Sequence, residues 1–147
     1  MSAVLGAVLV VLGLSGCGAL MPETGSYLKT LGPIIQKAVP GVTRVSVSSG
    51  IDGATRYVSV IVFLDRETPV TADMARTVIR LVDEHQNQPG ASRMDIAFYQ
   101  GPDQGTDDLV DVSAIKDELS SDPWAVTGDD WSLVVDFQYV PKILGDK

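Results

Sequence analysis

The segment Thr55–Asp65 constrains the fold more than any other stretch of this chain. Its side chains alternate, with Val58, Val60, Val62 and Leu64 on one side and Tyr57, Ser59, Ile61 and Phe63 on the other. Strict alternation predicts a β-strand. Apolar and aromatic residues on both sides exceed what a sheet with one solvated face requires. This strand therefore belongs inside a sheet, and its second side needs either a covering element or a partner.

The neighbouring segments supply the rest of the sheet and the layer that covers it. Val42–Ser48 alternates, with Val45 and Val47 on one face and Arg44, Ser46 and Ser48 on the other. Gly50, Asp52 and Gly53 provide turn chemistry, so the two strands are expected to form a hairpin. Upstream, Tyr27, Leu28, Leu31, Ile34, Ile35, Ala38 and Val39 recur at helical spacing. Gly32-Pro33 either breaks that helix or starts a shorter one, and Pro40-Gly41 ends it. Downstream, a helix starting at Thr68-Pro69 or Thr71 would bury Met74, Val78, Leu81, Val82 and His85. Arg93–Gln100 alternates again. Ser113–Leu119 reads as a short helix with Ser113 as N-cap. Trp131–Val140 reads as a last strand with Trp131, Leu133, Val135, Phe137 and Tyr139 on one face.

Helices segregated from strands in this order predict an α+β fold. The expected architecture is a two-layer sandwich: a mainly antiparallel sheet of about four strands with two main helices on one face. From the first helix through Gln100 the element order, with its Gly-containing hairpin, resembles the αββαβ pattern of BON domains. Those domains occur in periplasmic and lipid-anchored bacterial proteins, and no functional residue is carried over from them. The sheet face away from the helices is expected to be covered by the short helix and Trp124, the alternative being a partner or ligand surface.

Composition narrows the function classes. Among 147 residues there is one cysteine and one histidine, so an intrachain disulfide and a cysteine-built zinc site are excluded. The net charge of −8 argues against a nucleic-acid partner, which requires clustered Lys and Arg. That charge is uneven. Residues 23–100 carry eight acidic and eight basic side chains, whereas residues 101–147 carry eleven acidic against three basic. The acidic part could meet a basic protein partner or a divalent cation, or serve solubility alone.

The N-terminus carries an address. Residues 1–22 have no charged side chain, and Ala3 to Leu14 form an apolar block of 12 residues. That is too short for a bilayer-spanning helix, which needs ~20 residues, but suits the apolar region of a secretory signal. It leads into Leu14-Ser15-Gly16-Cys17. This resembles the lipobox of bacterial lipoproteins, although only the Met1 amino group supplies the positive charge usual at such an N-terminus. The resemblance implies that the Cys17 thiol receives a diacylglyceryl group, with palmitate among the expected acyl chains, and that a peptidase cuts before it. The alternative is a buried core helix over residues 3–14 with a buried thiol. The expected organisation is a signal peptide over 1–16, a lipidated tether over 17–26 and a single domain over 27–147. The tether would hold that domain to the cell membrane on its extracytoplasmic side, with the neutral part toward the bilayer.

Candidate chemistry is sparse. His85 has no nucleophile or orienting carboxylate at the required spacing, and a packing role is expected. Asp103, Asp107, Asp108 and Asp111 surround a Gly-containing loop. They are weak metal candidates because calcium-loop spacing fails at Gly105, Asp108 and Ala114. No cofactor fingerprint or catalytic elbow is present, so neither an enzyme nor a cofactor is expected. A small hydrolase is the least favoured reading. The favoured one is a membrane-anchored binding or assembly component of the cell envelope. The alternative is a carrier holding a lipid or other apolar small molecule between sheet and helices.

Overall fold

Helix α1 (Tyr27–Ala38) begins the described part of the chain, which comprises residues 25–101 and 108–145 of a computed structural model. Tyr27, Leu31 and Ile35 sit one helical turn apart and are fully buried. The helix runs through Gly32-Pro33 unbroken, although the proline cannot donate to the carbonyl one turn back. Gly32 lets it lie close on the first strand: a Cβ there would sit 3.4 Å from the Val45 carbonyl oxygen.

Strands β1 (Val42–Asp52) and β2 (Thr55–Leu64) form the expected hairpin. Its two-residue turn places Gly53 at φ +60°, the left-handed region in which glycine bears no Cβ penalty. Helix α2 (Ala72–His85) then crosses over the sheet, so β3 (Ala91–Gln100) pairs with β2 in parallel. Thr71 caps α2, its hydroxyl accepting from the Met74 amide at 3.2 Å. Helix α3 (Ser113–Leu119), strands β4 (Val126–Thr127) and β5 (Leu133–Asp136), a 3-10 turn at Phe137–Tyr139 and helix α4 (Val140–Leu144) complete the chain.

The fold is a mixed α+β arrangement with a five-stranded sheet in the order β1-β2-β3-β5-β4. Three pairings are antiparallel and one is parallel. The expected strand count of about four is short by one; the two main helices and the short helix Ser113–Leu119 are present, and α4 is a further small helix. Strand β4 has only two residues, too few to show a period. The expected strand over Trp131–Val140 ends at Asp136. There the carboxylate accepts from the Gln138 amide at 3.2 Å and turns the backbone into the 3-10 turn, after which Pro141 sits in the first turn of α4.

One apolar cluster unites the sheet and all four helices. Val58, Val60, Val62, Leu64, Met94, Ile96, Phe98, Leu133 and Val135 meet Leu31, Ile35, Val78, Ile79, Val82, Leu119 and Val140. These strand residues share one parity, so the helices lie on one side of the sheet. Helix α3 is on that same side, with Ile115 and Leu119 in the cluster and its Glu118 carbonyl accepting from Arg76 of α2. It does not cover the second face. Trp124, expected as the other half of that cover, is 73% exposed. Among the described residues, the second face has no covering layer.

Candidate functional site

That open face is ordered by register into four rows that cross the sheet. One row runs Gly50–Tyr57–Arg93–Asp136, from β1 through β2 and β3 to β5. The next runs Ser48–Ser59–Asp95–Val134–Thr127. Then come Ser46–Ile61–Ala97 and, at the far end, Arg44–Phe63–Tyr99. A floor of serine and small apolar side chains is thus bounded at each end by an arginine and an aromatic ring.

The two boundaries differ in kind. At the far end the Arg44 guanidinium carbon lies 3.9 Å above the Phe63 ring centre, and Phe63 stacks on Tyr99 with ring centres 5.5 Å apart. Phe63 in this stack is 1% exposed, although among the described residues no further layer lies over it. The apolar residues on both sides of β2 are thereby explained: a cross-strand stack serves where a second layer was expected. At the near end the Tyr57 ring covers Gly50, leaving no room for a Cβ there, and Arg93 lies 5.1 Å from the ring centre.

Arg93 is also the centre of an ionic group. Its Nη2 donates to Asp52 Oδ2 at 3.2 Å, closing the turn end of the hairpin onto β3. Its Nε lies 3.3 Å from Asp95 Oδ1, but the two atoms are buried and poorly aligned for a hydrogen bond. Burial pushes the Asp95 carboxyl above the usual carboxylate range, against the opposing pull of the Arg93 charge.

Beside this group, at the β5 end of the face, lies an open concavity of about 430 Å³. Trp124 stands on its rim, and Thr55, Ser92, Asp136, Gln138 and Tyr139 line it. Ser92 reaches it because the β2–β3 register slips by one residue between Arg56 and Tyr57, so a bulge turns the β3 backbone there. A smaller apolar concavity of about 350 Å³ opens where the end of α1 meets the start of α2, near Val39, Pro69 and Met74. Both open at the surface, whereas the space between sheet and helices is occupied by the buried side chains of the core.

The residues singled out from the sequence fall elsewhere. Cys17 and the lipobox, with Asp103 and Asp107, lie outside the described residues. Asp108 pairs with Arg66 at 3.7 Å. Asp111 lies just before Val112, the N-cap of α3, its Oδ1 accepting from the Ser113 amide at 2.9 Å and the Ser113 hydroxyl at 2.6 Å. Ser113, expected as the cap, is therefore the first helical residue. The hydrogen bonds to Ser113 hold the Asp111 carboxyl below the usual range. His85, expected in the core, ends α2 with its side chain 41% exposed and 4.0 Å from Glu84. Among the described residues no three His, Cys, Asp or Glu side chains gather as a metal site. No helix there is long and apolar enough to cross a membrane. No family model, curated protein or solved structure matches this chain.

Proposed function

We propose that this chain is a lipid-anchored, extracytoplasmic binding or assembly component of the cell envelope, whose domain is a two-layer sandwich with one sheet face left for recognition. The observation that carries the binding role is the open face. It has two arginine–aromatic boundaries around a floor of Ser46, Ser48, Ser59, Ile61 and Ala97, and no described element covers it. Arginine and aromatic side chains are the types that recur where one protein surface meets another molecule. The anchoring rests on Leu14-Ser15-Gly16-Cys17 following an uncharged apolar block. The sequence carries no catalytic elbow or cofactor fingerprint, which supports recognition over reaction.

Two measurements test this reading. Wild-type protein grown with a labelled fatty acid should carry the label and sediment with membranes, while Cys17→Ala should carry none and leave that fraction. Unlabelled wild-type chain with Met1 intact overturns the anchor. A photo-crosslinking residue at Ser48 in the anchored protein should give partner adducts that the same residue at Lys29, on the outside of α1, does not. Equal yields at the two positions overturn the assignment of the open face.

A further inference from the structure

The concavity at the β5 end of the open face has a composition that specifies its ligand more closely than the face as a whole does. Of its two charged groups, the cation is paired with carboxylates of the protein and the carboxylate is hydrogen-bonded to neutral amides. Arg93 is held by Asp52 and Asp95, and the Asp136 carboxylate accepts from the backbone and side-chain amides of Gln138, each at 3.2 Å. An anionic ligand would find no unpaired cation among them, while Asp136 keeps acceptor capacity for a hydroxyl. The neutral polar groups are in the opposite condition. The hydroxyls of Thr55, Ser92 and Tyr139 and the indole N–H of Trp124 make no hydrogen bond within the described protein, and the Gln138 side-chain carbonyl accepts none.

Trp124 completes the picture. Its side chain is 73% exposed, yet its backbone is fixed on both sides. The Trp124 amide donates to Asp122 Oδ1 at 3.0 Å, and Asp122 is itself held by Lys142 at 2.8 Å. The next two residues, Ala125 and Val126, are buried in the core. A large aromatic plane on a fixed backbone, facing water beside unpartnered hydroxyls, is preorganised to receive a flat, partly apolar and polyhydroxylated ring. The volume of about 430 Å³ falls within the ~300–1,000 Å³ of small-ligand sites.

We infer that this concavity is a saccharide-binding site, with a sugar ring stacked on Trp124 and its hydroxyls bonded to Thr55, Ser92, Gln138 and Tyr139. The inference rests on the open face being the recognition surface and names the chemistry recognised there. Two sources share that chemistry, an N-acetylated amino-sugar polymer and a neutral glucan. The full lipidated chain in detergent, titrated calorimetrically with chitotetraose in one arm and cellotetraose in the other, distinguishes them.

Saturable binding in either arm is expected, weakened about tenfold or more by Trp124→Ala and left unchanged by Trp131→Ala, since loss of one aromatic contact of ~1–1.5 kcal/mol corresponds to about tenfold. The arm with tighter binding identifies the source. Trp124 is exposed, so its substitution leaves the fold intact, which the thermal midpoint checks. Absence of binding in both arms, or binding that Trp124→Ala does not weaken, overturns the site. Either failure leaves lipid labelling at Cys17 and crosslinking at Ser48 untouched, so the broader function falls only on its own tests.

Discussion

The two faces of the sheet are built from alternate residues of the same strands, yet they solve burial differently. On the helix side Val58, Val60, Val62 and Leu64 are buried by a second layer. On the open side no such layer covers Tyr57, Ile61 and Phe63 among the described residues, and Phe63 is nonetheless buried, with Arg44 and Tyr99 on it. An arginine stem and a neighbouring ring can exclude water from an aromatic side chain while leaving polar tips in solvent. Apolar residues on both sides of a strand therefore do not require a three-layer fold. They can mark a face that is dry beneath its outermost groups and still open to a ligand.

The largest test of this contrast is a pair of truncations. Phe98→Ala removes a ring from the closed core and should cost about 3–5 kcal/mol in urea unfolding, because the cavity left between packed layers cannot fill. Phe63→Ala removes the same group from the open face, where water and the flexible Arg44 side chain can enter the gap. A cost of about 2–3 kcal/mol is expected. Equal losses at the two positions would mean that the open face is packed as rigidly as the core.

How far the sequence foretold this contrast depends on the length of each element. The parity of β1, β2 and β3 was legible because alternation runs through Val42–Ser48, Thr55–Asp65 and Arg93–Gln100, but parity alone did not fix which side of each strand meets the helices. Thr71 was one of two legible starts for α2, and the structure selects it over Thr68-Pro69. Strand β4 was invisible at two residues. The apolar alternation through Phe137 and Tyr139 concealed the point where the Asp136 cap turns the chain.

The concavity was the least legible feature. Asp52, Arg93 and Asp136 are far apart in sequence and reach one end of the face only through the hairpin and the β2–β3 and β3–β5 registers. Trp124 was expected, with the short helix, to cover that face because the strands are apolar or aromatic on both sides. Its exposure follows from the tight turn at Asp122, which directs Ala125 and Val126 inward instead.

A smaller effect separates the near end of the open face from the far end. A Cβ at position 50 would lie 2.4 Å from the Tyr57 ring, so Gly50→Ala must displace that ring and with it the contact to Arg93. The backbone at Gly50 is not in the left-handed region, so the cost is steric, about 1–2 kcal/mol. The same variant should disturb saccharide binding while sparing the Arg44–Phe63–Tyr99 stack. A neutral outcome in unfolding would show that Tyr57 is free to move and that the near boundary is loose.

The smallest expected effect concerns Asp95, and its sign distinguishes it from the other carboxylates. Hydrogen bonds from Thr68, Ser113, Lys142 and Ser132 hold Asp65, Asp111, Asp122 and Asp129, respectively, below the usual range. These groups stabilise the fold above their unfolded pKa, and that contribution is lost as pH falls through the folded value. Asp95 is raised, chiefly by burial, so it behaves in the opposite way. Below the unfolded carboxylate pKa it is protonated in both states and imposes no penalty. As pH rises toward the raised folded value, ionisation favours the unfolded chain and stability is lost. Asp95→Asn removes that titration. The variant should match the wild type near pH 3 and gain relative to it as pH approaches 7, by less than about 1 kcal/mol because the site is only half-buried and partly compensated by Arg93. Unfolding free energies of the two proteins across that interval measure the difference. A gap that stays constant, or one that favours Asp95 increasingly as pH rises, would show that the Arg93 pair outweighs burial and that the open face is wetter at its near end than this structure has it.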